Sequence, residues 1–225
     1  MEGATVQRMA KWLVGERLST VLHLGDASLA YTMAEQGHDV VIAGDDVRVA
    51  RGADLQYVRT AGDRLPFRAD SFDAVVAPAL DDSPSVLAEY ARVLRPGGVV
   101  SSVRRTIDET LPWVRRLRAI AGTPPSERDD TRLVVASGMF AQPEVEQFAS
   151  WEELDAAGVL QLARHFRDSL GPEQTAQVHQ LVASSSHGGG TLRLRQATTC
   201  TRAEVEKAPD ATADEPAETS LLDFR

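Results

Sequence analysis

The segment Thr20–Asp46, TVLHLGDASLAYTMAEQGHDVVIAGDD, constrains this chain more than any other. Thr20 to Leu24 is an apolar run ending at Gly25, the pattern of a buried parallel strand. Gly25-Asp26-Ala27-Ser28 reads as a tight turn. Leu29, Met33 and Ala34 then recur at helical spacing, and Gly37 stops the helix. Val40 to Ala43 is a second apolar strand, closed by Gly44-Asp45-Asp46. Such a strand–turn–helix–strand unit sets a turn and a helix N-terminus beside the carboxyl end of the first strand. A nucleotide-like ligand commonly sits there, its ribose held by an acid at the end of the second strand. Asp45 and Asp46 stand at that place here.

The following residues repeat the alternation of strand and helix. Leu55 to Arg59 can form a third strand, after a short helix of one or two turns around Val47 to Gly52. Ser71 to Val76 is a fourth strand. Asp81-Asp82-Ser83-Pro84 opens a helix, with capping side chains and then proline in the first turn. Val86, Leu87, Tyr90, Ala91 and Leu94 give it a buried face. In Leu94-Arg95-Pro96-Gly97-Gly98 the proline and paired glycines supply a helix stop and a tight reversal into a fifth strand.

These motifs, in this order, resemble the class I S-adenosylmethionine-dependent methyltransferases. Ala61 to Phe67 resembles that superfamily's G-D-A-x-x-L-P-F loop, whose acid approaches the adenine amino group. The resemblance therefore puts Asp63, with its neighbour Arg64, at the cofactor. Ser71 to Val76 resembles the S-F-D-x-V strand, and Leu94 to Gly98 the L-x-P-G-G turn. Arg104 to Leu117 resembles a narrower branch in which P-W-V precedes basic residues. Its arginines suit either an anionic substrate or a solvated helix face neutralised by Asp108 and Glu109. The resemblance covers roughly Val21 to Cys200. It implies an α/β, Rossmann-like methyltransferase fold: a mostly parallel seven-stranded sheet with helices on both faces and the last strand antiparallel. It also implies S-adenosylmethionine as cofactor and a small-molecule acceptor.

The first turn departs from the family pattern, which has an acid followed by G-x-G-x-G. His23 stands in the acid's place, Gly25 is the turn's one glycine, and the turn is shorter by about two residues. Ala27 and Leu29 fall about where the other glycines would be, and side chains there occupy space the cofactor needs. Asp26 is placed to cap the helix, and its charge opposes the cofactor's carboxylate. The cofactor-site candidates are His23, Gly25, Asp26, Asp45, Asp46, Asp63 and Arg64. His23 reads first as a partly buried histidine satisfied by its neighbours, and otherwise as a donor to a ligand carboxylate. Methyl transfer rests on positioning, and a base is needed only where the nucleophile loses a proton, so no catalytic residue is expected from sequence. Two functions follow: a small-molecule methyltransferase with a divergent turn, or an inactive member of the fold that binds or regulates a protein partner.

The rest of the chain bounds these readings. Its 225 residues, 43% of them hydrophobic, suit one α/β domain. We expect a single domain over 1–202, with a cofactor half at 1–120 and a substrate-facing half at 130–202. Helices are expected over Thr5–Leu18, from the S-W-E-E capping box at Ser150, and from Pro172. Strands are expected within Phe140–Phe148 and over Thr191–Cys200. Residues 203–225 are acidic and poor in large apolar side chains, a composition of disorder. The formal charge of −9 argues against non-specific nucleic-acid binding. The single cysteine excludes a disulfide framework, and the histidines lack metal-ligand spacing. With no long apolar run and no signal-peptide centre, a cytoplasmic protein without a membrane partner is expected.

Overall fold

The computed structural model describes residues 2–25, 27–44, 55–60, 64–80, 83–122, 129–167, 169–186 and 190–207. The short helix expected around Val47 to Gly52 lies outside these residues. The elements in order are α1 (Glu2–Val14), β1 (Thr20–His23), α2 (Ala27–Glu35), β2 (Asp39–Gly44), β3 (Gln56–Arg59), β4 (Phe72–Ala77) and α3 (Pro84–Val93). There follow β5 (Leu94–Ile107), α4 (Pro112–Ala121), α5 (Asp130–Ser137), β6 (Glu144–Leu154), α6 (Ala156–Phe166), α7 (Pro172–Ser185) and β7 (Leu192–Glu204).

The strands form one seven-stranded sheet in the order β3-β2-β1-β4-β5-β7-β6. The pairs β1–β2, β1–β4, β2–β3 and β4–β5 are parallel. The last strand runs antiparallel to β5: Asp108 donates its N–H to the Arg195 carbonyl, and Val205 donates to the Gly98 carbonyl. The sheet is therefore mixed, with its parallel part built from β1 to β5.

The chain packs as two compact units. The first is drawn from Met1–Arg104, Asp129–Phe148 and Thr199–Arg225. Its strands alternate their side chains between two cores, as the pleat requires. Leu22, Val41, Val75 and Ala77 join one core with α3 and α5. Val21, Val40, Ile42, Ala74 and Val76 join the other with α1 and α2. Both faces are covered, which explains why these strands are near-continuous apolar runs. The second unit is drawn from Arg105–Arg128 and Ala149–Thr198. Its core centres on Trp113, Leu117, Val159, Ala163 and Val178, contributed by α4, α6 and α7. The Trp113 indole donates to the Arg193 carbonyl at 3.1 Å, so the buried ring keeps its polar atom satisfied.

Several boundaries differ from expectation for identifiable reasons. The first helix stops at Val14 because Gly15 adopts φ +97°, and Leu18, expected to end the helix, is 75% exposed. Ser83 caps α3 without a side-chain bond to the helix, its hydroxyl meeting that of Ser85 instead. The S-W-E-E segment does not open a helix. It lies within β6, where Phe148, Ser150, Glu152 and Leu154 turn inward and their neighbours outward. That period of two overrides a four-residue capping pattern. The cap is Asp155, whose carboxylate accepts from the Gly158 N–H at 2.8 Å. Sequence reading missed α5, which Asp129 caps through the N–H groups of Thr131 and Arg132 and Gly138 ends in the left-handed region.

Ordered chain also continues past Ala203. Lys207 donates to the Arg92 and Leu94 carbonyls and pairs with Asp70 at 2.7 Å, satisfying the orphan carbonyls where α3 ends. The Pro96-Gly97-Gly98 segment does not precede β5 but bulges within it, between the Phe72–Leu94 and Ala74–Val99 partners. A side chain on Gly98 would meet the Arg95 and Asp73 carbonyls at 2.8 and 3.1 Å, so this glycine is required by packing.

Cys200 lies fully buried among α1, β6 and the sheet. Burial, and then the nearby Glu146 carboxylate, push its thiol up to about 12. We expect no reaction with Ellman's reagent at pH 8 in the folded protein, and one thiol per chain in urea. The raised value makes the neutral thiol's contribution to stability complete below the ordinary thiol pKa. It is lost as the pH rises from there toward 12.

Candidate cofactor crevice

The sheet order reverses at β1. From it the chain runs through α2 to β2 and β3 on one side, then returns to place β4 on the other. In an open α/β sheet, ligands bind in the crevice outside the carboxyl ends of the strands at such a switch point. Here the crevice is bounded by His23 at the end of β1, Gly25 just after it, Gly44 at the end of β2, and Ala77 at the end of β4.

The turn after β1 is organised by His23. Its register beside Ile42 and Val76 places it at the centre of the sheet, and it is only 3% exposed. Its Nδ1 accepts the Gly25 N–H at 3.0 Å. A Cβ on Gly25 would stand 2.9 Å from the imidazole Cε1, so the ring fills the space that a side chain at 25 would take. The close approach that requires glycine here is to the chain's own histidine. Leu24 donates to the Val76 carbonyl at 2.8 Å, and α2 begins at Ala27.

The end of β2 is covered by a residue the sequence reading passed over. Tyr57, on β3, donates its hydroxyl to the Gly44 carbonyl at 2.9 Å. An aromatic at the third strand's second position was the available signal. The L-P-F loop is clamped by α3. Arg92 donates to the Leu65 and Phe67 carbonyls at 3.0 and 2.8 Å, while Glu89 accepts the Leu65 N–H at 3.1 Å. Glu89 and Arg92 also pair at 2.8 Å. Hydrogen bonding to Arg92 holds the Glu89 carboxyl below its ordinary value, against the opposing effect of burial. Phe67 is buried edge-on against Phe72, with ring centroids 5.0 Å apart.

Of the sequence candidates, the structure brings His23 and Gly25 together at the crevice and leaves Arg64 exposed beside the clamped loop. Asp26, Asp45, Asp46 and Asp63 lie outside the described residues. Asp73, of the fourth-strand motif, faces the opposite end of the sheet. It accepts the Thr20 N–H at 2.7 Å and pairs with Arg95 at 2.8 Å, joining the starts of β1 and β5. The arginines in and near the basic segment divide between paired and exposed. Within the first unit, Arg104 bonds Asp130, whose other oxygen accepts from Ser102 at 2.6 Å. Within the second, Arg118 pairs with Glu109 and Arg195 with Asp108. Arg115 and Arg116 are exposed. Among the described residues no group of His, Cys, Asp and Glu could hold a metal ion, and no helix is long and apolar enough to cross a membrane.

Residues 14–102, which hold this crevice, match the family model described as a methyltransferase domain. The Rossmann-like α/β fold is one shared with solved methyltransferases. The chain is 39% identical over 121 residues to the uncharacterized methyltransferase Mb3374 of Mycobacterium bovis, an alignment covering 49% of this chain and 50% of that one. It thus spans about half the length of the curated relative it matches. A candidate type II methyltransferase from Anaeromyxobacter dehalogenans superposes with a TM-score of 0.57 at 18% identity, over 91% of this chain and 97% of that one. The YcgJ protein of Bacillus subtilis gives a TM-score of 0.57 at 14% identity, over 91% and 99% of the two chains. The methyltransferase domain match coincides with β1 to β5, the part of the sheet that builds the switch point.

Proposed function

We propose that the chain binds S-adenosylmethionine at the crevice and transfers its methyl group to a small molecule. The carrying observation is the coincidence of the switch point at β1 with the part of the chain that matches the methyltransferase domain. The cofactor supplies an electrophilic methyl group on a sulfonium. The protein's part is to hold donor and acceptor in line and to exclude water. Gly44 and the Tyr57 hydroxyl would border the ribose end, with Asp45 or Asp46 as its hydroxyl acceptor. The clamped loop would present Asp63 to the adenine, with Arg64 beside it. Carboxylates at these positions would suit the cofactor's ribose and adenine by their chemistry. The first turn fits the cofactor only with the His23 ring turned aside, because that ring holds the Gly25 N–H and fills the space over it.

This same observation favours a second reading, in which the fold is kept as an inactive binding or regulatory module and His23 closes its crevice. Calorimetric titration with S-adenosylmethionine and S-adenosylhomocysteine, on the wild type and on His23→Ala and Asp63→Ala, separates the two. The enzyme reading expects micromolar binding by the wild type, weakened about tenfold or more by Asp63→Ala. The inactive reading expects no heat from a folded wild type. Binding gained only in His23→Ala would show a crevice that the histidine itself keeps shut.

A further inference from the structure

The second unit contains a cleft of about 290 Å³ that has no part in the cofactor crevice. Its floor is three strand ends that present alternate residues to one face: Arg105 and Ile107 from β5, Leu194 and Gln196 from β7, Glu152 and Leu154 from β6. The α6 helix forms a wall through Gln161 and Leu162, and Gly158 contributes no side chain to fill the space. The volume lies at the small end of the range of ligand pockets, about 300–1,000 Å³.

The lining sorts into two chemistries. Ile107, Leu154, Leu162 and Leu194 offer an apolar bed. Gln196 donates to the Glu152 carboxylate at 2.5 Å, which fixes both side chains. That bond uses one of the two amide hydrogens of Gln196 and one of the carboxylate's two oxygens. A carboxylate accepts only, so a group meeting the second oxygen must bring a hydrogen. Arg105 lines the same cleft, and its charge offsets that of Glu152, so a neutral ligand matches the lining better than an ion.

We propose that this cleft binds a neutral small molecule with an apolar body and a hydroxyl head, the hydroxyl donating to Glu152 and accepting from the Gln161 or Gln196 amide. The site stands whether or not the chain transfers methyl groups. The test uses 2-naphthol as probe in an NMR titration of the full chain, following the side-chain amide signals of Gln161 and Gln196. Saturable shifts of both, with a dissociation constant below about 1 mM, are expected. Gln161 is exposed, so Gln161→Trp can fill the cleft without entering the core, and unchanged thermal unfolding would confirm its fold. This variant should weaken binding at least tenfold. In the wild type, 2-methoxynaphthalene, which lacks the donor, should bind about tenfold more weakly than 2-naphthol. No saturable shift overturns the site, as does binding indifferent to Gln161→Trp. Equal affinity for the two probes overturns the hydroxyl's role.

Discussion

Phe67→Ala is expected to lower the free energy of unfolding by about 3–5 kcal/mol, the range for removing a buried phenylalanine. The side chain is fully buried, packs edge-on against Phe72, and shares its core with Leu65, Leu87 and Val93. The edge-to-face pair adds about 0.5–1.5 kcal/mol beyond area burial, which favours the upper half of the range. The loss is measurable as a fall in the urea midpoint at unchanged slope. The variant also tests the loop. The Leu65 and Phe67 carbonyls are fixed to Arg92, so the described start of the loop is held at this anchor. Where the wild type binds S-adenosylmethionine, Phe67→Ala should weaken that binding at temperatures where it is still folded. A change below about 1 kcal/mol would mean that the clamp from Glu89 and Arg92 holds the loop without the ring.

The parallel half of the sheet was legible because its signals are local and redundant. Each of β1, β2 and β4 is a largely apolar run buried on both faces, and each is followed within two residues by a glycine, an acid or a proline. Such strands need no knowledge of their neighbours. The region from Asp129 to Leu154 was harder because its two elements are defined by contacts. In β6, Trp151 and Glu153 look outward while Glu152 turns inward to meet Gln196. Read along the chain alone, Ser150 to Glu153 satisfies a helix cap. Read across the sheet, it satisfies an edge strand. The short α5 helix carries few apolar residues, and its signals were the Asp129 cap and Gly138.

The crevice was legible in place but not in state. The strand–turn–helix–strand pattern, present from β1 to β2, pointed to it, and the later motifs carried the family resemblance. The orientation of the His23 ring cannot be read from sequence, since it depends on the Gly25 N–H folding back to the imidazole. The basic residues at and after the end of β5 left two readings open, an anion site or a neutralised face, for the converse reason. An arginine at 104 suggests a site for an anion until the chain returns at Asp130 and supplies the anion itself.

That pairing carries the second large effect. Asp130 is 5% exposed, and its two oxygens meet Ser102 and Arg104, two residues apart on the same face of β5. Ser102 is beside Ala77, so the network sits at the carboxyl ends of β4 and β5 and fastens the start of α5 there. Asp130→Ala removes both acceptors and leaves a guanidinium with little solvent and a buried hydroxyl unpaired. Breaking a buried pair in this way costs about 3–5 kcal/mol. Asp130→Asn keeps an acceptor for Ser102 and should cost less. The double variant Arg104→Met, Asp130→Leu removes the charge and its partner together, and should recover most of the stability lost in Asp130→Ala. Urea unfolding of the three variants supplies the comparison. If Asp130→Ala and the double variant are equally unstable, the loss comes from the packing of α5 and not from the uncompensated charge of Arg104.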